Sequence, residues 1–309
     1  TRLLGYASTS PLAIYETRPI NGGHYYRRGW ELMVDTKNLV GEFTWDTSLT
    51  FSKTNSFWKE RLPNYDYQIY QQRENEPMSA YYYYNVTGII NTDRSNMPES
   101  QKTLQAEAQL PGCPIIEDKN KDGKIDENDV YMKDNSPAIY VGIGNTFTYK
   151  RFEFSFFMYG QFGIQKYNIA YSAAQAGPLA VDYPENSNKF AYRLWNSQTN
   201  PNGSRPGLAI GKMGALPGNA WVNADRENAS FMRMRNITLA YNLAGNILGS
   251  LQRYVRNIKV YVDAQNPFIL TKFQGFDPEI YTGGGGASGG SRGEYPQTRT
   301  FSLGANITF

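Results

Sequence analysis

A strict two-residue period runs through seven segments of this chain, and no other feature limits its fold as closely. Alternate side chains of a strand point to opposite faces, so a sustained period of two marks a sheet with one apolar and one polar side. In 300–309, Phe301, Leu303, Ala305, Ile307 and Phe309 share one face, and Thr300, Ser302, Gly304, Asn306 and Thr308 the other. Ile258, Val260, Val262, Ala264, Phe268 and Leu270 oppose Lys259, Tyr261, Asp263, Gln265 and Thr271. Phe152, Phe154, Phe156, Met158, Phe162 and Ile164 oppose a polar set that Phe157 interrupts once. The same pattern is readable around 139–149, 42–52, 30–35 and 236–242, with an eighth, shorter segment near Leu3 to Ser8.

The connections separate the two architectures that this period allows. Read as connections, the stretches 37–41, 53–138, 150–151, 166–230, 243–257 and 272–298 hold 5, 86, 2, 65, 15 and 27 residues. Short and long gaps alternate throughout. A membrane β-barrel sorts its connections this way, with short periplasmic turns and long outer loops, whereas a sandwich has no reason to. The segment 243–254 (LAGNILGSLQRY) carries apolar residues at helical spacing, which predicts a helical turn at the short-turn rim. The reading is an all-β fold, a transmembrane antiparallel β-barrel, with extracellular loops at about 53–138, 166–230 and 272–298. A secreted β-sandwich is the alternative.

Composition agrees with a barrel and removes other classes. Mean hydropathy is −0.57, and no apolar run approaches the ~18 residues of a transmembrane helix. Barrel strands are only half apolar, so this leaves them open. Lys and Arg total 31 against 28 Asp and Glu, too even a balance for a nucleic-acid binder. Aromatic residues reach 15%, and Tyr, at 24, outnumbers Phe, which suits interfaces and sugar faces. A single cysteine, Cys113, excludes an internal disulfide, and a single histidine, His24, removes most triad and zinc chemistry. Thr1-Arg2-Leu3-Leu4 has no signal-peptide pattern, so an exported protein would need an earlier beginning.

Five ordered blocks resemble one family. These are Arg28-Gly29-Trp30-Glu31-Leu32, the acidic run Asp118 to Asp126, Asn228 to Tyr241 (NASFMRMRNITLAY), Val260 to Glu279, and Tyr295 to Phe309 (YPQTRTFSLGANITF). They resemble the closing part of SusC-like (SusC/RagA) TonB-dependent transporters, the glycan and oligopeptide importers of the Bacteroidetes outer membrane. The resemblance implies that 1–309 is the C-terminal third of a barrel of about 22 strands. It implies that the plug and the N-terminal strands lie outside this chain. As partners it implies the rest of the barrel, a SusD-like lipoprotein lid, TonB, outer-membrane lipid, and a glycan or peptide substrate. No catalytic residue and no enzyme activity are expected.

Three groups of residues are candidates for function. Asp118 to Asp129 (DKNKDGKIDEND) has the spacing of a twelve-residue calcium loop. Asp118, Asn120 and Asp122 take positions 1, 3 and 5, Gly123 makes the turn at 6, and the Lys124 carbonyl takes 7. Asp126 falls at 9, and Asp129 replaces the usual glutamate at 12. An all-oxygen set of this size suits Ca2+ better than Mg2+; a solvated acidic turn is the alternative. Tyr81, Tyr82, Tyr83 and Tyr84, with Trp195 and Trp221, offer rings to a sugar or to a lid, or else serve loop packing. Phe309, in phase with the apolar face, is expected to act as the assembly signal. Two further functions are weighed: a calcium-dependent carbohydrate-binding β protein, and an outer-membrane enzyme of phospholipase type, for which only His24 could serve.

Overall fold

The computed structural model describes residues 2–8, 17–61, 67–71, 75–168, 192–207, 216–217, 221–224, 226–275, 277–279 and 297–309. Along the chain run β1 (Arg2–Ser8), β2 (Thr17–Leu39), β3 (Phe43–Glu60), β4 (Ala80–Tyr84), β5 (Val86–Ile89), β6 (Pro114–Ile116), β7 (Tyr131–Asp134) and β8 (Ile139–Tyr149). There follow β9 (Phe152–Phe162), β10 (Gln165–Tyr167), β11 (Trp221–Val222), β12 (Arg226–Asn228), β13 (Phe231–Ala244), β14 (Asn257–Gln265), β15 (Ile269–Thr271) and β16 (Thr300–Thr308). One sheet takes the long strands in the order β1-β2-β3-β8-β9-β13-β14-β16, with β15 also paired to β13. The registered pairs between these strands are antiparallel, as in an up-and-down barrel wall.

Contacts divide the chain into two units. One comprises 29–54, 136–166 and 228–309, and is the wall. Its register puts like with like: Val260 faces Ala305, Val262 faces Leu303, and Leu49 faces Ile143. The apolar face that this builds is open. Leu303 is 83% exposed, Phe301 75% and Phe309 79%, and Trp30, Leu32, Val34, Leu239 and Val262 on the same side are exposed as well. A sandwich would bury these side chains. An uncovered apolar face of this extent calls for lipid or a partner to cover it.

Two of the strands exceed their sequence signal. β2 has 23 residues and β3 has 18, so β3 runs on to Glu60, past the loop boundary expected at 53. Ladder hydrogen bonds need only backbone, so a strand outlasts the apolar period that reveals it. Gly29 shows why its block carries glycine. A Cβ there would lie 2.3 Å from the Lys53 carbonyl oxygen on β3, closer than any side chain tolerates.

The short connections are tight. Lys150 adopts φ 55 in the two-residue turn between β8 and β9. Gly245–Arg253 forms 3-10 turns between β13 and β14, kinked at Gly249 (φ 52), where the spacing predicts a helical turn. The other unit comprises 1–28, 55–135 and 167–227. It owns a conventional core of Tyr70, Tyr84, Ile90, Leu104, Ala108, Cys113, Ile115, Ile116, Ile125, Val130 and Leu216. The segment expected at 53–138 as one long loop is therefore part of a folded body, with the small sheet β5-β6 and the pair β4-β7, to which β11 adds a strand from the 167–227 stretch.

Candidate functional site

The acidic loop opens after β6 and closes on a single 3-10 turn, Glu127–Asp129, before β7. Its backbone has the shape that the spacing predicts: Lys121 at φ 59 and Gly123 at φ 83 turn it sharply inward. The Asp118 carboxylate accepts from the amides of Asp122 (3.2 Å) and Gly123 (2.8 Å), and Asp122 accepts from Lys124 (2.9 Å). Asn120 accepts from the Asp122 amide and donates to its carboxylate. Asp126 caps the 3-10 turn by accepting from Asn128. Asp129 is fully buried, and its two oxygens accept from the amides of Lys119 and Asp126, both at 2.8 Å.

The arrangement thus joins Asp118, Asn120 and Asp122 directly, and turns Asp126 and Asp129 to closing the loop. Among the described residues no three His, Cys, Asp or Glu side chains converge as a metal cluster. What fits a hard cation is the donor chemistry of the side chains brought together, the carboxylate and amide oxygens of Asp118, Asn120 and Asp122.

The four tyrosines alternate, as a strand requires. Tyr84 is completely buried, and its hydroxyl lies 3.0 Å from the carbonyls of Asp126 and Pro217. Burial pushes its phenol above the usual range. Tyr82 packs on Tyr70 at 5.1 Å and accepts from Arg61, which also pairs with the buried Glu76. Tyr84 is therefore a core residue and not a contact residue, a correction to the sequence reading. Tyr81 and Tyr83 take the other face and extend to Tyr131 in a stacked ladder with centroids 5.2 and 5.7 Å apart. Arg226 lies 3.7 Å over Tyr81 and Lys119 4.7 Å over Tyr131, so a cation sits at each end of the ladder.

Trp195 is half-buried, and its amide donates to the Arg205 carbonyl at 2.8 Å. The Trp221 backbone pairs with Tyr83, while its side chain lies outside the described residues. Cys113 is buried and its thiol is pushed up to about 11, which removes it as a nucleophile. His24 stands opposite Arg2 in the β1–β2 ladder.

Sequence reasoning missed one feature of the wall unit. Arg233 of β13 is buried and meets both oxygens of the buried Asp277 at 2.7 Å. It also pairs with Glu279, which Arg235 reaches at 3.1 Å. Asp277 in turn accepts from the Gln297 amide, so one carboxylate holds residues on both sides of the 280–296 segment. Burial pushes the Glu279 carboxyl up to about 7, while the two guanidinium groups favour its charged form. With direct ion pairs in place, we take the charged form as the working state. The signal was available: arginines two apart on a strand, and Asp-Pro-Glu some forty residues later.

An antiparallel wall with an open apolar outer face defines a class, the membrane β-barrel. Solved structures agree on the fold. The RagAB peptide transporter matches 99% of this chain and 32% of its own, with TM-score 0.67 and 19% identity. The open-open state of the RagAB importer matches with TM-score 0.65 and 18% identity. No protein-family model matches the chain. Curated relatives include TonB-dependent receptor P3 of Formosa agariphila, 26% identical over 94% of this chain and 29% of its own length. SusC of Bacteroides thetaiotaomicron is 27% identical over 94% of this chain and 27% of its length. The chain thus spans under a third of the length of the relatives it matches. It is similar in sequence and in fold to the barrel portion of SusC-like TonB-dependent transporters. Such receptors are outer-membrane β-barrels, and these relatives are transporters rather than enzymes.

Proposed function

We propose that the complete protein imports a glycan or an oligopeptide across the outer membrane. It would draw energy through TonB and work beneath a SusD-like lipoprotein. The observation that carries this reading is the folded body between β3 and β8. A connection needs only a few residues, yet this one builds a core around Tyr84, Ile90 and Val130. Structure on that scale suits a surface that receives a partner and a substrate. Half-buried Tyr81 and Tyr83, with Trp195 and Trp221, are the proposed contacts; Tyr82, packed on Tyr70 and bonded to Arg61, leaves the set with Tyr84. The peptide transport named for RagAB and the SusC name support import without choosing between the substrates.

The acidic loop is proposed to hold one Ca2+. Asp118, Asn120, Asp122, the Lys124 carbonyl and Asp129 are its donors, with Asp126 at the ninth position. The ion would supply a rigid tie across the loop and no chemistry. A water-soluble carbohydrate-binding protein fits less well, because Phe301 and Leu303 stand exposed on the outer face.

The test is gentle detergent extraction of the complete protein from its own membrane. A lipoprotein should co-purify, and uptake of the substrate should stop when TonB is deleted. Recovery of a lone barrel, with uptake unchanged without TonB, would sink the proposal.

A further inference from the structure

The short-turn end of the wall carries an apolar element that the strand period does not explain. Within Gly245–Arg253 and the residues after it, Leu248 is buried, but Ile247 is 51% exposed, Leu251 54% and Tyr254 69%. Ile247 precedes the kink at Gly249 and Leu251 and Tyr254 follow it, so exposed apolar side chains stand on both arms of the turn. Exposed Tyr149 and Phe152 stand at the neighbouring turn, and exposed Phe309 follows the end of β16. The uncovered surface is thus continuous with the outer apolar face of the wall.

Charge at this end is one-sided. Arg253, Arg256 and Lys150 are exposed, and Arg151 is half-buried. The turns meet: the Asn242 amide donates to the Arg151 carbonyl at 2.9 Å, and the Arg256 amide to the Thr308 carbonyl at 2.7 Å. Lys150 Nζ lies 5.2 Å over the Tyr149 ring, its stem along an aromatic of the outer face. Among the described residues of these turns, Glu42 is the one acid. Glu153, the next carboxylate, is held by Lys259 at 2.9 Å.

We propose that this rim is a binding site for an anionic phospholipid of the leaflet that the short turns enter. Ile247, Leu251 and Tyr254 lie in the boundary between headgroups and acyl chains, and Arg253, Arg256 and Lys150 take the phosphate. Amphipathic segments with basic residues beside apolar ones bind interfaces in this way, and basic side chains at an anionic surface each add to the attraction. The proposal rests on the outer face meeting lipid, and the experiment separates the two.

The complete transporter is reconstituted in nanodiscs of zwitterionic phospholipid containing one-fifth phosphatidylglycerol, then extracted, and its retained lipid is counted by mass spectrometry. Wild type should hold phosphatidylglycerol above the disc composition. The double variant Arg253→Gln/Arg256→Gln should hold about tenfold less, and Arg253→Lys/Arg256→Lys should recover most of it. Tyr254→Trp provides a second reading that needs no loss of charge: its added fluorescence should be quenched by brominated acyl chains. Unquenched fluorescence, or equal phosphatidylglycerol in wild type and the Gln variant, overturns the site while leaving the barrel reading intact. Loss of a protein partner on the Gln variant, with lipid unchanged, assigns the rim to that partner and also overturns it. Failure to enter nanodiscs at all overturns both readings.

Discussion

The wall and the folded body between its strands solve opposite problems with the same aromatic-rich composition. In the body, large side chains point inward: Tyr84, Ile90, Ile116 and Val130 are all but sealed from solvent. In the wall, large side chains point outward, and Phe301, Leu303 and Phe309 are mostly exposed. Burial in the wall is confined to a few places, such as Phe231, Met234 and Ala240 on β13. The hydrophobic effect holds the body together in water. The wall instead relies on backbone ladders that leave no polar group facing the hydrocarbon, and its apolar side chains gain from lipid. The contrast makes each region vulnerable to a different substitution.

The largest expected effect is on the body. Tyr84→Ala empties a fully buried aromatic site and strands the carbonyls of Asp126 and Pro217. The loss should be about 3–5 kcal/mol, as for other buried aromatic truncations. Hydrogen exchange should then rise across β4, β7 and the acidic loop, with β8, β9 and β13 still protected. An equal rise throughout would mean that the two regions unfold together, and the contrast would fail.

Leu303→Lys attacks the wall. In water the change would cost little, since Leu303 is already 83% exposed. A lysine on the lipid face near the bilayer midplane costs about 2–4 kcal/mol. Ser302→Lys, on the opposite face, is the control. Outer-membrane yield should drop for Leu303→Lys and hold for Ser302→Lys, while hydrogen exchange in the body stays unchanged. Equal yields would place position 303 away from lipid.

Legibility in the sequence follows the same division. The wall could be read because lipid imposes a period of two, so β8, β9, β13, β14 and β16 fell where alternation predicts them. The extensions of β2 from Thr17 and of β3 to Glu60 could not, because those stretches pair through backbone without a one-sided apolar code. The body was legible only as a length of chain. Its core residues, such as Cys113, Ile125 and Val130, come from turns and short strands with no common period. The same limit split the tyrosine run: composition offered four rings, and only the folded body decided that Tyr84 faces inward, with its hydroxyl on the carbonyls of Asp126 and Pro217. The Arg233–Asp277 clamp joins residues 44 apart, a distance over which local pattern carries no information.

Deleting Phe309 sharpens the wall side at smaller scale. As one packed ring it is worth about 1.5–3 kcal/mol, which a large barrel could lose and still insert. If Phe309 also carries the proposed assembly signal, its loss should empty the outer membrane of the protein and send it to periplasmic degradation. Cell fractionation distinguishes the outcomes, and we expect depletion. Normal outer-membrane levels would leave Phe309 only its packing role.

The smallest effect belongs to the acidic loop, and it tests how far the body depends on anything beyond its own core. Asp129 is buried and already satisfied by the amides of Lys119 and Asp126, so the loop has a closure that needs no ion. Asp122 is exposed and accepts from Lys124, beside Asn120. Removing Ca2+ with EGTA should therefore loosen 118–126 without opening the core, a loss of about 1 kcal/mol if the ion merely tightens a turn that protein hydrogen bonds already form. Asp122→Ala should cost about the same and should make EGTA without further effect, because the mutation removes a donor the ion needs. Asp129→Ala should cost more than either, since it empties a buried position and leaves the amides of Lys119 and Asp126 without their acceptor. The measurement is amide exchange at Lys119, Gly123 and Lys124, with and without EGTA, in all three proteins. If EGTA changes nothing in the wild type, the loop is a self-sufficient turn and the calcium assignment fails. If EGTA unfolds the whole body, the ion ranks with Tyr84 in holding the core.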